Sequence, residues 1–167
     1  MKGITIPAEK LSKALLPLTD MSDLETFQMR DKDAEEAMAA AGMASPQEAL
    51  LFSVNASHHA WKIQHPGGDN NEIAAVLGLA YSGYPGIGIP WLLGGVHFET
   101  VSPIHFAKTS KYVVDLWLAH YRCLMNYVIA DYGVAIRWLE FLGFTLSRED
   151  YYLHDPNKPF KLFWRYA

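Results

Sequence analysis

One stretch near the C-terminus constrains this chain more than any other. Residues Cys123 to Ala130 form a largely apolar run with the β-branched pair Val128-Ile129 near its end, the pattern of a buried strand. Between Gly133 and Leu142 the apolar residues Val134, Ala135, Trp138, Leu139 and Leu142 recur at the spacing of one helix face. Gly143 then occupies the place where a helix end calls for a left-handed residue, and Phe144 re-enters an extended segment. A strand, a helix close behind it and a second extended segment predict an α/β sheet rather than a bundle or a sandwich.

Composition narrows the class further. A chain of 167 residues, half apolar and 13% aromatic with five Trp, is long enough for one packed domain and argues against disorder. The net charge of −4 argues against nucleic acid as the main partner, since phosphate neutralisation needs a basic patch. The basic stretch around Lys108 and Lys111 holds only two charges. No disulfide framework is available to the single Cys123, which fits a reducing compartment. No signal peptide or run of ~20 apolar residues is visible, so a soluble, intracellular protein without a membrane partner is expected.

The elements follow from local signals. Residues 1–20, with Leu11, Ala14, Leu15 and Leu18 interspersed among Pro7, Lys10, Lys13 and Pro17, read as an amphipathic N-terminal arm, and residues 21–167 as a single domain. Leu24 to Met29 can form a strand. Asp33 with Glu36 three residues on resembles a capping box for a helix ending at Gly42. Ser45-Pro46-Gln47-Glu48 starts a second helix, to about Ser57. Trp61–Gln64 and Glu72–Tyr81 should pair across the turn Pro66-Gly67-Gly68-Asp69-Asn70. Ile87 to Phe98 is a strand interrupted by Pro90 and Gly94-Gly95. A helix over Phe106–Tyr121, the buried strand, the helix already described and two last strands complete the chain. In the last strand Phe160, Leu162, Trp164 and Tyr166 share one face. The predicted class is α/β (α+β): a mixed sheet of about seven strands, helices on both faces, in the order β-α-α-β-β-β-α-β-α-β-β. The strand Cys123–Ala130 is expected to lie at its centre, covered on both sides.

The order of elements, closed by Gly143-Phe144, resembles the Gcn5-related N-acetyltransferase (GNAT) fold. Within it, Pro90-Trp91-Leu92-Leu93-Gly94, Phe106 to Lys111, Tyr121 to Val128 and Ile136 to Leu139 are similar to the GNAT-like proteins of tailed bacteriophages, a group that includes the internal virion protein A of T7-like phages. That resemblance covers roughly the C-terminal half. It implies a virion or assembly protein, located in the virion or the host cytoplasm, whose partners are other phage structural proteins or copies of itself.

The GNAT resemblance also implies an acetyl-CoA site between the fourth and fifth strands, with the pyrophosphate on a glycine-rich turn opening the next helix. Here that turn is Val101-Ser102-Pro103-Ile104-His105-Phe106-Ala107, without glycine, and Pro103 removes a donor. Lys108, Thr109, Ser110 and Lys111 remain as candidate anion ligands. Where the family often has an Asn for the pantetheine arm, this chain has Asp131 and Tyr132, and the usual Tyr acid is Leu139, which has no proton to give. Tyr132, with Tyr151 or Tyr152 as alternatives, is the candidate general acid. Glu99, expected at the end of the fourth strand and partly buried beside Trp91 and Phe98, is the candidate general base with a raised pKa, flanked by His97 and His105. The expectation from the missing glycines is a degenerate acetyl-CoA site and a protein acting through protein contacts. The alternative is an active acyl-CoA-dependent N-acyltransferase. No metal site is expected, since His58, His59 and His65 lack ligand spacing. No Gly-x-Ser-x-Gly elbow is present, and Tyr84-Pro85-Gly86-Ile87-Gly88 precedes a strand, so it is not a phosphate loop.

Overall fold

The computed structural model describes residues 15–65 and 72–167. Eight strands form one sheet in the order β1-β2-β3-β4-β5-β8-β6, with β7 also on β8. They are β1 (Leu15–Pro17), β2 (Ser57–Gln64), β3 (Ile73–Tyr81), β4 (Ile87–Gly94), β5 (Cys123–Ile129), β6 (Thr145–Leu146), β7 (Tyr151–Tyr152) and β8 (Pro159–Tyr166). Among the described residues, four α-helices cover it: α1 (Asp31–Ala41), α2 (Pro46–Asn55), α3 (Pro103–Leu118) and α4 (Gly133–Phe141). All neighbouring strands run antiparallel except β4 and β5.

Local chemistry explains the helix ends. Ser45 caps α2 by accepting the Glu48 N–H at 3.1 Å, with Pro46 at the first helical position. Gly42 (φ 67°) follows α1 and Gly143 (φ 85°) lies just past α4, both in the left-handed region that side chains disfavour. Replacing Ser45 by Ala should cost about 1 kcal/mol, read as a melting point lower by roughly 2–4 °C.

Two cores flank the sheet. On one face Val113, Val114 and Trp117 of α3 pack with Trp61, Leu77, Leu124, Val128 and Phe163. On the other, Ala37 of α1 and Ala49 and Leu50 of α2 pack with Ile73, Val76 and Leu93. Burial of Ile73 through Ala80 without a break makes β3, not β5, the strand covered on both sides. In β5 the residues Met125, Asn126 and Tyr127 are only partly buried; on the face of Met125 and Tyr127, α2 sits over β2 and β3 while α1 lies over β4 and reaches β5 at Ile129. The face of β5 and β8 that carries Met125, Leu162 and Trp164 is left as an open hollow, rimmed by Tyr151 and Tyr166.

Several sequence expectations shift. The end of the N-terminal arm is a strand packed on the domain: Leu15 pairs with Ile63 and is buried, because an apolar residue beside Trp61 and Ile63 gains more from the sheet edge than from solvent. Residues 1–14 of that arm, and the turn at 66–70, lie outside the described residues. The strand expected at 24–29 is instead a 3₁₀ turn, Met21–Leu24, capped by Asp20 accepting the Ser22 N–H at 2.9 Å; a lone bridge from Met29 to Gly95 is all that remains of it. α3 starts three residues before the expected Phe106, with Pro103 at its first position, the place where a missing N–H costs nothing. The two last strands become three, since β6 and β7 are separate short pairings along β8.

Candidate active site at the parting of β4 and β5

β4 and β5 pair only at Ile87–Cys123 and Gly88–Leu124, then separate. Backbone groups facing the gap must find other partners. The Cys123 N–H donates to the Gly86 carbonyl at 3.1 Å, so the alternation of strand backbone directs Tyr127 and Ile129 toward β4 as well. The Tyr127 N–H donates to Asn126 Oδ1 at 2.8 Å, and Asn126 Nδ2 donates to the Pro90 carbonyl at 3.0 Å. Further out, α1 spans the gap. Asp33 Oδ1 accepts the Gly94 N–H of β4 at 2.8 Å, and Glu36 Oε2, one helical turn on, accepts the Ile129 N–H of β5 at 2.9 Å. The Gly94 carbonyl accepts the Arg30 N–H at 2.9 Å. Each strand end is thus held by a carboxylate of the same helix.

Asp33 anchors a buried polar cluster. Only 3% exposed, it also accepts from Arg30 Nε and from the Tyr132 hydroxyl, both at 2.8 Å. Arg30 Nη2 donates to the Tyr132 oxygen at 3.0 Å, and the guanidinium stands 4.6 Å above the Phe98 ring. It also lies flat on Gly94, where a Cβ would approach it to 2.6 Å, so a side chain there would displace it. Burial, then the Asp33 charge, pushes the Tyr132 hydroxyl well above the ordinary tyrosine value.

Around this cluster, Glu35 is paired with Lys158 at 2.7 Å and with Lys32 at 3.1 Å, and Lys32 with Asp131 at 2.8 Å. Glu36 has no ion pair among the described residues. Burial pushes its carboxyl up to about 7; the Ile129 N–H pulls it down and the Asp33 charge adds to the rise.

The sequence-predicted site residues divide between two places. Tyr132 reaches the gap, as the residue preceding α4. Glu99 does not: β4 ends at Gly94, and Glu99 lies exposed in a 3₁₀ turn, Phe98–Thr100. The turn forms because Gly95 donates back to Ala74 and Val96 to Gln28, taking the chain out of the β4 line. Lys108 and Lys111 are exposed on α3, with Thr109 and Ser110 partly buried between them. His105 Nδ1 lies 3.2 Å from Ser102 Oγ, and His97 stands edge-on to His65, ring centroids 5.8 Å apart. Cys123 is buried, which raises its thiol pKa. Among the described residues no three His, Cys, Asp or Glu side chains gather to hold a metal, and no helix is long and apolar enough to cross a membrane.

The first turn of α3 offers an anion two donors. Phe106 is the first residue to bond within the helix, to the Ser102 carbonyl at 2.9 Å, so the N–H groups of Ile104 and His105, both exposed, have no intrahelical acceptor. With Lys108 and Lys111 beyond them, this donor set suits a phosphate despite the absence of glycine. Arg30, Asp33 and Glu36 were not foreseen as site residues. Their one visible signal was the i, i+3 spacing of two carboxylates, which also reads as a helix start.

No protein-family model matches this chain, and no curated protein matches it. Solved structures do. Spermidine N-acetyltransferase of Vibrio cholerae, in complex with CoA and spermine, matches with a TM-score of 0.61 at 10% identity, over 93% of this chain and 96% of that one. NAA60 of Arabidopsis thaliana, in complex with a bisubstrate analogue, matches at 0.54 and 17% identity, over 83% and 95%. A GNAT-family acetyltransferase of Streptococcus pneumoniae matches at 0.51 and 12% identity, over 74% and 77%. The chain has the GNAT acetyltransferase fold; at such low identity the likeness concerns the fold alone.

Proposed function

We propose that this protein is an N-acyltransferase that moves an acyl group from acyl-CoA to an amine. The observation that carries the reading is the parting of β4 and β5 after two residue pairs, with a polar, carboxylate-lined mouth, in the fold of CoA-using acetyltransferases. The Ile104 and His105 N–H groups, with Lys108 and Lys111, hold the phosphate end. By strand alternation Leu92 faces the gap like Pro90 and Gly94, and its backbone borders the acyl-bearing arm. Acyl-CoA supplies a thioester whose carbonyl carbon an amine can attack. Tyr132 and Arg30 hold the Asp33 carboxylate in place and so fix the mouth of the gap. The acceptor arrives over the open face of β5 and β8.

A virion or assembly role, in a phage particle or host cytoplasm, is the second reading. It is favoured by the same open face, where Trp164 and Tyr166 give a partner protein aromatic area to bury. Melting the purified protein with millimolar acetyl-CoA separates the two. Ligand at about 100 times its dissociation constant adds roughly 2.7 kcal/mol, a rise on the order of 5–10 °C for a domain of this size. That rise is expected; its absence would sink the acyltransferase reading in favour of a protein-contact role.

A further inference from the structure

We infer that Glu36, on the first helix, receives the ammonium of the acyl acceptor and takes its proton, and that the acceptor is a primary amine on an apolar or aromatic body. This rests on the acyltransferase reading and assigns the acceptor half of the same site.

The position of Glu36 carries the inference. One carboxylate oxygen is fixed by the Ile129 N–H at the gap, which orients the group, and no bond among the described residues occupies the other. Asp33 is committed to Arg30, and Glu35 to Lys32 and Lys158, so Glu36 is the carboxylate of that group free to meet an incoming cation. Two residues back along β5, on the same face as Ile129, is Tyr127. Its ring centroid stands 5.6 Å from that of Tyr151, on β7. These rings and Met125 give an apolar wall to the body of a molecule whose ammonium reaches Glu36, and an aromatic face also attracts the cation.

The reaction balances. The ammonium gives one proton to the free Glu36 oxygen, and the nitrogen lone pair forms the C–N bond at the thioester carbonyl carbon. The C–S bond breaks, its electron pair leaves with sulfur, and the second amine proton passes to the thiolate. Products are the amide and free CoA, with Glu36 returning its proton to solvent. A carboxyl titrating at about 7 is matched to that exchange near neutrality. The charged and titratable groups that act on it are Asp33, Lys32 and Glu35 on α1 and Tyr132 after β5, with Asp131 and Lys158 one step further out, paired to Lys32 and Glu35.

Stability offers a readout independent of turnover. The folded carboxyl keeps its proton up to about 7, while an unfolded glutamate releases it near 4.5. Between these values the folded state binds more protons, so this contribution is complete below about 4.5 and is lost as pH rises to about 7. Glu36→Gln keeps an acceptor for the Ile129 N–H and should abolish that part of the pH dependence of melting.

Acetyl transfer from acetyl-CoA to benzylamine, followed against pH in wild type, Glu36→Gln and Glu36→Asp, tests the inference. Expected are a wild-type kcat/KM that rises through about pH 7, a loss on the order of 10²–10⁴ with that rise gone in Glu36→Gln, partial rescue by Glu36→Asp, and an unchanged acetyl-CoA melting shift in every variant. Transfer at wild-type rate and pH profile in Glu36→Gln overturns it, as does a wild type that binds acetyl-CoA yet leaves benzylamine unacetylated. Absence of the melting shift in wild type overturns the acyltransferase reading itself, and this inference with it.

Discussion

Asp33→Ala should lower stability by about 3–5 kcal/mol, the range seen when one partner is removed from a buried ion pair. The melting point falls accordingly, on the order of 6–20 °C. The size follows from what the substitution strands. The Gly94 N–H, the Arg30 guanidinium and the Tyr132 hydroxyl all donate to this one carboxylate, and Asp33 is almost fully buried. Losing the acceptor leaves all three without it at once. Asp33→Asn should cost less, since the amide oxygen can still accept from Gly94, though it leaves the Arg30 charge uncompensated. Thermal melts of both variants check the ordering. A loss below about 1 kcal/mol for the alanine variant would mean that water replaces the carboxylate, and that the cluster is far wetter than its burial indicates.

Trp117→Ala should be comparably damaging, at about 3–5 kcal/mol, for the opposite reason: it removes apolar volume, not a charge. Trp117 is 3% exposed, its ring centroid 6.0 Å from that of Trp61, and with Val113 and Val114 it is the buried part of α3. All three lie in the C-terminal half of the helix. The N-terminal half, which carries Ile104 and His105, is held separately through Phe106, stacked on Trp138 with centroids 4.8 Å apart and edge-on to Phe98 at 4.9 Å. The two anchors make the effects separable. Trp117→Ala should shift the denaturant midpoint of the whole domain, with residual folded protein still binding acetyl-CoA in proportion to its amount.

Much of the architecture was legible because it is written locally. Ser45-Pro46, Gly42, Gly143 and the alternation of Phe160, Leu162 and Trp164 each state their structure within a few residues, and the structure follows them. Residues whose partners are remote were misread. Asp33 and Glu36 have the spacing of a helix-capping pair, but their bonds go to Gly94 and Ile129, 61 and 93 residues away in sequence. Glu99 was placed at the end of β4 on the apolar pattern of Ile87 to Phe98. The strand stops at Gly94 because Gly95 and Val96 turn their N–H groups elsewhere, a choice no local propensity records. Tyr132 was singled out for its place after β5. That position does bring it to the gap, while its bonding to Asp33 and Arg30 is visible only in three dimensions.

Backbone pairing joins β4 and β5 at two residue pairs alone, so beyond Gly88 the sheet is two half-sheets held together by side chains. Asn126 reaches directly across to Pro90, and α1 joins the two ends, Asp33 holding Gly94 and Glu36 holding Ile129. How far the two strands part is therefore set in part by Asp33 and Glu36, which lie on α1 and outside either strand. A lineage carrying this fold can retune the size of the molecule it admits by altering the length of a single bridging side chain, while both half-sheets keep their cores.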